Sequence, residues 1–253
     1  FTIALPVATI VPTDAPTLPP TDKTGAVDTT IPLTLELGEP VVEVETPRES
    51  DLALAVGDVF RGVTDPAVYV IRSDGKRGIF PDTETYFSYF DSFDNVVTIN
   101  DDQLRKLPLG GRVTVRPGTW LVKIQSDPKV YAVEDGTVLR HIPDENTARF
   151  LYGDTWNNQV RDVNVVFFKD YNIGEPLPSN TYLPEGTVFS YEETPQLYVI
   201  QNRIRRLFLD AESFALNHFQ DRFIRNVSLL FEFEDGEPID GIDQDLLDEL
   251  IGK

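Results

Sequence analysis

The chain has 253 residues, with 42 acidic against 22 basic side chains, a net charge of −20 and no cysteine. Disulfide frameworks, thiolate metal sites and thiol nucleophiles are thereby excluded, and so acidic a chain is no partner for nucleic acid, whose phosphates are bound by clustered Lys and Arg. An apolar share of 41% with 11% aromatics is that of a folded protein, whereas 19 prolines point to extended stretches beside the globular part.

The chain begins at Phe1 and contains no methionine, which reads as an exported, mature form whose signal peptide has been removed. The expected location is extracellular, at the cell surface. No run approaches the roughly 18–20 apolar residues that span a bilayer, so no membrane span is expected. Acidity is concentrated at the ends. Up to Phe60 there are 10 acidic and 2 basic side chains, and from Leu229 onward 9 and 1, which leaves residues 61–228 with only −4 of the total. Such flanks are chiefly solvating.

At the N-terminus Phe1, Ile3, Leu5, Val7 and Val11 recur with a period of two and face one way in a strand. A Pro/Thr-rich tract over 12–30 follows, extended and poor in internal hydrogen bonds. Ile31, Leu33, Leu35 and Leu37 then alternate again. A free end with this pattern is an aggregation hazard unless it joins a sheet edge, and Pro6 restricts it to an edge or a donated strand. The spacer gives reach that an intramolecular strand does not need. Donation to a neighbouring subunit is therefore the expectation, with Phe1, Ile3, Leu5, Val7 and Val11 as the subunit interface and head-to-tail homopolymerisation as its consequence.

From Val63 onward the chain repeats itself. Pro66-Ala67-Val68-Tyr69-Val70 returns as Pro128-Lys129-Val130-Tyr131-Ala132-Val133 and as Pro195-Gln196-Leu197-Tyr198-Val199, with tyrosines 62 and then 67 residues apart. A turn follows each: Ser73-Asp74-Gly75-Lys76, Glu134-Asp135-Gly136-Thr137 and Gln201-Asn202-Arg203. Next comes an arginine and a short apolar strand, the arginines being Arg77, Arg140 and Arg206. Asp82, Asp144 and Asp210 then N-cap predicted helices over 83–90, 145–152 and 211–219. Every helix leads to a β-branched segment: Val96-Val97-Thr98-Ile99, Val160-Arg161-Asp162-Val163 and Ile224-Arg225-Asn226-Val227. The fold class expected is α+β and β-rich: an extended arm over 1–50, repeats over 51–127 and 128–194, a shortened third over 195–235, and an acidic tail with a short helix over 236–253 that carries Leu246, Leu247, Leu250 and Ile251 on one face.

The Pro-x-Val-Tyr-x-Val strand, the Gly turn, the Arg-x-Ile strand, the short helix, and Leu109-Gly110-Gly111 before Arg116-Pro117-Gly118-Thr119-Trp120-Leu121-Val122 together resemble a repeat of bacterial secreted surface and S-layer-like proteins, common in ultra-small candidate phyla. The resemblance covers residues 57–231, most closely 63–175, and stops short of the first 50. It implies a secreted, envelope-associated role and brings no catalytic residues.

Residues that invite chemistry have simpler readings. Tyr69, Tyr131 and Tyr198 are expected to pack, Arg77, Arg140 and Arg206 to pair with local carboxylates or carbonyls, and Trp120 and Trp156 to serve as packing residues. His141 and His218 hold unrelated repeat positions, which excludes a shared acid/base or metal role. Asp240, Asp243 and Asp245 lack the glycine and terminal glutamate of an EF-hand. No catalytic, cofactor or metal residues are expected, and calcium is permitted by the acidic ends without being specified. The resulting expectation is a non-enzymatic structural subunit of a surface filament or lattice, with a cell-wall polysaccharide-binding module as the alternative.

Overall fold

The tyrosine-bearing segments foreseen at 69, 131 and 198 form interior strands of three separate sheets. The computed structural model describes residues 52–178, 182–192 and 194–251. The chain divides into two compact parts, Phe1–Arg48 and Glu49–Lys253, and all described residues fall in the second. The strand foreseen over 1–11, with Phe1, Ile3, Leu5, Val7 and Val11, lies outside the described residues. The described part is mixed α/β and strand-rich, with three sheets and six α-helices, and no described helix is long and apolar enough to cross a membrane.

In the first sheet, β1 (Val59–Gly62), β2 (Tyr69–Ile71) and β3 (Arg77–Ile79) form an antiparallel meander. Helix α1 (Thr83–Phe87) leads to β4 (Val97–Ile99), which lies parallel to β1, and α2 (Asp101–Lys106) leads to β5 (Leu109–Arg112), parallel to β3. The order is β4-β1-β2-β3-β5. The second sheet joins β6 (Leu121–Ile124), β7 (Asp127–Glu134) and β8 (Val138–His141) in the same antiparallel way. Helix α3 (Glu145–Tyr152) leads to β9 (Val160–Asp162) on β6, and α4 (Val165–Phe168) to β10 (Asn172–Ile173) on β8, both parallel.

In the third sheet β11 (Val188–Tyr191), β12 (Tyr198–Gln201) and β13 (Ile204–Leu207) are antiparallel, and α5 (Ala211–Leu216) precedes β14 (Arg225–Val227), parallel to β11. Parallel bridges from Arg205 to Asp235 and from Phe208 to Ile239 occupy the far side of β13. A final helix, α6, spans Gln244–Ile251.

Two features differ from the sequence reading. The boundaries at 127/128 and 194/195 run through hairpins, because β6 pairs with β7 and β11 with β12; the strand ahead of each tyrosine motif belongs to the sheet it enters. The arginine register also shifts by one. Tyr69, Tyr131 and Tyr198 face Ile79, His141 and Leu207, so Arg140 and Arg206 correspond to Gly78, and Arg77 stands on the opposite face. Asp82, Asp144 and Asp210 do N-cap the three helices, accepting from the backbone N–H of Thr85, Thr147 and Ser213.

The third sheet is buried on both faces. Val188 and Val199 join Val59, Val70, Phe80 and Tyr86 of the first sheet's layer, whereas Phe189 and Ile200, one residue on, join Leu121, Leu151 and Tyr152 of the second. Strand alternation thus sends successive side chains into two different cores. The turns entering β6 and β11 meet where these layers join. Gly118 (φ 73°) and Gly186 (φ 78°) abut so closely that a methyl on Gly118 would sit 2.2 Å from the Gly186 carbonyl carbon.

Two alanine substitutions separate backbone strain from this contact. Gly136→Ala, at φ 66° with nothing within 4 Å of the added methyl, should lower the unfolding free energy by about 1–2 kcal/mol. Gly118→Ala should lower it by at least about 4 kcal/mol. Urea unfolding measures both, and equal losses would show that the glycine contact contributes nothing.

Candidate functional site

The recurring arginines tie the outer strands down. Arg140 donates from Nε to Glu134 (2.5 Å), which also accepts from the Tyr182 hydroxyl (2.6 Å), and from Nη1 to the Glu175 carbonyl (3.2 Å). Arg206 reaches Gln201 (2.5 Å), the Glu237 carbonyl (2.8 Å) and Asp243 (2.6 Å). In the first sheet the register position of Arg140 and Arg206 is Gly78. There Arg72, the residue after β2, donates instead to the Gly110 carbonyl (2.8 Å). Arg77 lies 4.6 Å from the Tyr69 ring centroid. Each of these guanidiniums except Arg77 fastens the segment parallel to the third strand of its sheet, which engages it structurally.

A different set of arginines lies where the three sheets meet. Arg116 is 1% exposed and has no carboxylate partner among the described residues. It donates to the carbonyls of Asn217 (3.0 Å) and His218 and stacks 4.0 Å from the Phe219 ring centroid, and its backbone N–H donates to Ser88 Oγ (2.9 Å). Burial draws its pKa down to about 10, with Tyr89 opposing, so it remains charged at neutral pH. Carbonyl dipoles and ring faces replace the counter-ion. His218 adopts φ 57° and sets its ring against Phe90 at 5.5 Å.

Trp120 lies between two guanidiniums, Arg161 at 3.8 Å and Arg222 at 5.6 Å, with Phe223 edge-on at 4.7 Å. Arg161 pairs with Glu84 (2.7 Å), and Arg222 donates to the carbonyls of Phe87 and Phe90 and approaches Asp91 (3.7 Å). Trp120 is thus the packing residue at a three-way junction, and Trp156 packs on the core shared by the second and third sheets. His141 lies on β8 beside Tyr131, far along the chain from His218. Among the described residues no group of three or more His, Asp or Glu side chains is placed to hold a metal ion.

Beside this junction opens a cleft of about 230 Å³ between the C-terminal end of α3 with the segment after it, and the start of β14 with the residues ahead of it. Phe150, Tyr152, Gln159, Arg222, Arg225 and Asn226 are among its lining, and no Asp or Glu contributes. Arg225 stacks 3.9 Å above the Tyr152 ring. Its Nη1 donates to Gln159 at 3.4 Å and its Nη2 to the carbonyls of Gly118 and Thr119 at 3.3 and 3.4 Å. All three bonds are long, and Nε has no partner. Burial lowers its pKa, with Tyr152 opposing. Phe150, 48% exposed, stacks on Phe231 at the rim.

None of Phe150, Gln159 or Arg222 stood out in the sequence. A signal was present for Arg225, since Arg161 and Arg225 both follow a β-branched residue in the strand parallel to the first of their sheets. The interface residues expected from sequence, Phe1, Ile3, Leu5, Val7 and Val11, lie outside the described residues.

His218 makes the junction acid-sensitive. Burial and the Arg116 charge depress its pKa from the usual 6.5, with Asp58 opposing. A base with a depressed folded pKa contributes stability that is complete above its unfolded pKa and lost as pH falls below it, because the unfolded chain then binds more protons. Stability should therefore decline from about pH 7 to pH 5, above the range where carboxylates titrate. His218→Asn, which tolerates the positive φ, should flatten that slope in urea titrations; an unchanged slope would exclude His218 as its source.

No protein-family model and no curated protein matches the chain. Among solved structures, a chain of the periplasmic assembly from the ESX-5 inner membrane complex aligns over 78% of this chain and 66% of its own, at 11% identity and a TM-score of 0.20. A chain of an intact ESX-5 inner membrane complex aligns over 77% and 56%, at 12% identity and a TM-score of 0.20. This chain thus spans just under two thirds and just over half of those chains. At these values the likeness establishes neither fold nor function.

Proposed function

We propose that the chain is a non-enzymatic, extracellular structural subunit, built from three tandem copies of one five-strand module, that assembles by donating its N-terminal strand to a neighbouring subunit. The observation that supports this reading is the recurrence of one pairing scheme. Each sheet has an antiparallel meander with a central tyrosine, a helix capped by aspartate, a parallel strand on the first strand and a parallel segment on the third.

The last of these segments shares a further sign. Gly110, Gly174 and Gly236 sit at the same place in the three sheets, where a methyl would meet Lys76, Val138 or Ile204 at 2.6–2.9 Å. In the second and third copies the glycine opens a Gly-Glu-Pro triplet, 174–176 and 236–238. The third copy therefore keeps all five positions, its last strand reduced to the bridges at Asp235 and Ile239. The polar side chains that recur, Arg140 with Glu134 and Arg206 with Gln201 and Asp243, are engaged in internal ties. A body braced in this way suits a load-bearing scaffold. The uncharged stretch Phe1 to Thr13 suits an apolar acceptor edge.

The reading predicts that lysine at Ile3 and Leu5 abolishes polymers seen by negative-stain microscopy while the thermal transition of the folded body is kept. Each buried anchor in such a joint supplies on the order of 1.5–3 kcal/mol before ordering costs. Removal of residues 1–11 should act in the same way, and a truncated chain that still polymerises would sink the mechanism.

A further inference from the structure

The cleft beside β14 combines three properties that packing alone does not require. It has no carboxylate lining although the chain carries −20. Its floor holds a guanidinium, Arg225, without an anionic partner among the described residues, whose bonds lie at the outer limit of hydrogen-bond length and whose Nε is unpaired. Its rim presents the half-exposed ring of Phe150 and a second guanidinium, Arg222.

The charge count selects the ligand. Arg222 is offset by Asp91 at 3.7 Å, which leaves about one uncompensated positive charge, that of Arg225. A monoanion matches this, whereas a dianionic phosphate would leave excess negative charge in the cleft. A planar guanidinium pairs bidentately with a carboxylate as it does with a phosphate, so the charge count and not the pairing geometry selects the monoanionic carboxylate, and the long bonds of Arg225 can be exchanged for shorter, charge-assisted ones.

The neutral lining specifies the rest. Of the two amides, Gln159 is engaged within the chain, accepting from Arg225 through Oε1 (3.4 Å) and donating from Nε2 to the Tyr152 carbonyl (3.0 Å); Asn226 accepts from Ser190 (2.7 Å) through Oδ1, which leaves its amide NH₂ for a hydroxyl group. Phe150 offers an apolar face on which the C–H face of a sugar ring stacks. A volume of about 230 Å³ falls below the ~300–1,000 Å³ of pockets for larger ligands and suits a single ring.

We propose that this cleft binds one uronic acid residue of an acidic polysaccharide, with its carboxylate on the Arg225 and Arg222 guanidiniums and its ring on Phe150. The site is independent of how subunits assemble. The interaction is charge-assisted at an open cleft, so it weakens as salt rises.

Calorimetric titration of the whole chain with an oligogalacturonate, a neutral oligosaccharide of equal length, acetate and inorganic phosphate tests this directly. Saturable binding of the oligogalacturonate at millimolar concentration or below is expected, with the neutral sugar, acetate and phosphate each at least about tenfold weaker. Amide NMR shifts on oligogalacturonate addition should centre on Phe150, Gln159, Arg222 and Asn226. Arg225→Gln should weaken binding by about tenfold or more. Because Arg225 also packs on Tyr152, the rim variants Phe150→Ala and Arg222→Gln, checked for an unchanged melting transition, carry the test if Arg225→Gln fails to fold. Failure of the oligogalacturonate to bind overturns the proposal. Equal binding of the neutral sugar, acetate or phosphate, or indifference to both rim substitutions, overturns it as well.

Discussion

Burial of the third sheet on both faces is the constraint from which the rest of the structure follows. A strand exposed to water on one side can alternate apolar and polar residues, but β11 and β12 must present an apolar side chain at nearly every position. Val188 and Phe189, then Val199 and Ile200, meet this demand, each pair dividing between two cores. The third sheet thus packs against both of the others, which are also tied to each other directly by Arg161 with Glu84 and Arg112 with Asp170. The aromatic rings concentrate at these joints, where Phe80, Phe208, Phe214 and Phe219 crowd on one side and Phe189, Tyr191, Tyr198 and Phe233 on the other.

Close layering leaves little room for side chains where loops cross, and the chain answers with glycine and arginine in turn. Gly118 against Gly186 brings two backbones together without side chains between them. Arg116, two residues earlier, does the reverse and spans from the loop ahead of β6 to the carbonyls that end α5. A lysine there would present a point charge and lose the planar fork that serves two carbonyls and a ring at once. Arginine also serves the buried acid: Glu134, the one carboxylate among the fully buried polar residues described, is held by Arg140 and Tyr182.

The same economy of charge separates two kinds of surface. Arg140 and Arg206 are engaged with carboxylates and carbonyls of their own chain. Arg225 is not so engaged, and it lies on the short parallel strand at the edge of its sheet, where the ladder has no further neighbour among the described residues.

What the sequence determined by itself is local. The aspartate caps at 82, 144 and 210, the tyrosine strands and the hairpin turns were readable because each depends on residues within a few positions, a cap bond running from residue i to i+3. The last segment of the third sheet is reduced to two bridges and carries no periodic pattern to detect, although Gly236-Glu237-Pro238 matches Gly174-Glu175-Pro176. The arginine register was misread by one residue because Gly78 and Arg77 exchange places in the motif, and only pairing with Val70 shows which face each takes. Tertiary structure alone decided that the strand ahead of each tyrosine pairs forward, that Arg116 meets His218 about a hundred residues away, and that Phe150, Gln159 and Arg225 share a cleft. Such contacts arise from parallel pairing and face-to-face layering between distant segments, and neither leaves a period or a spacing in the chain.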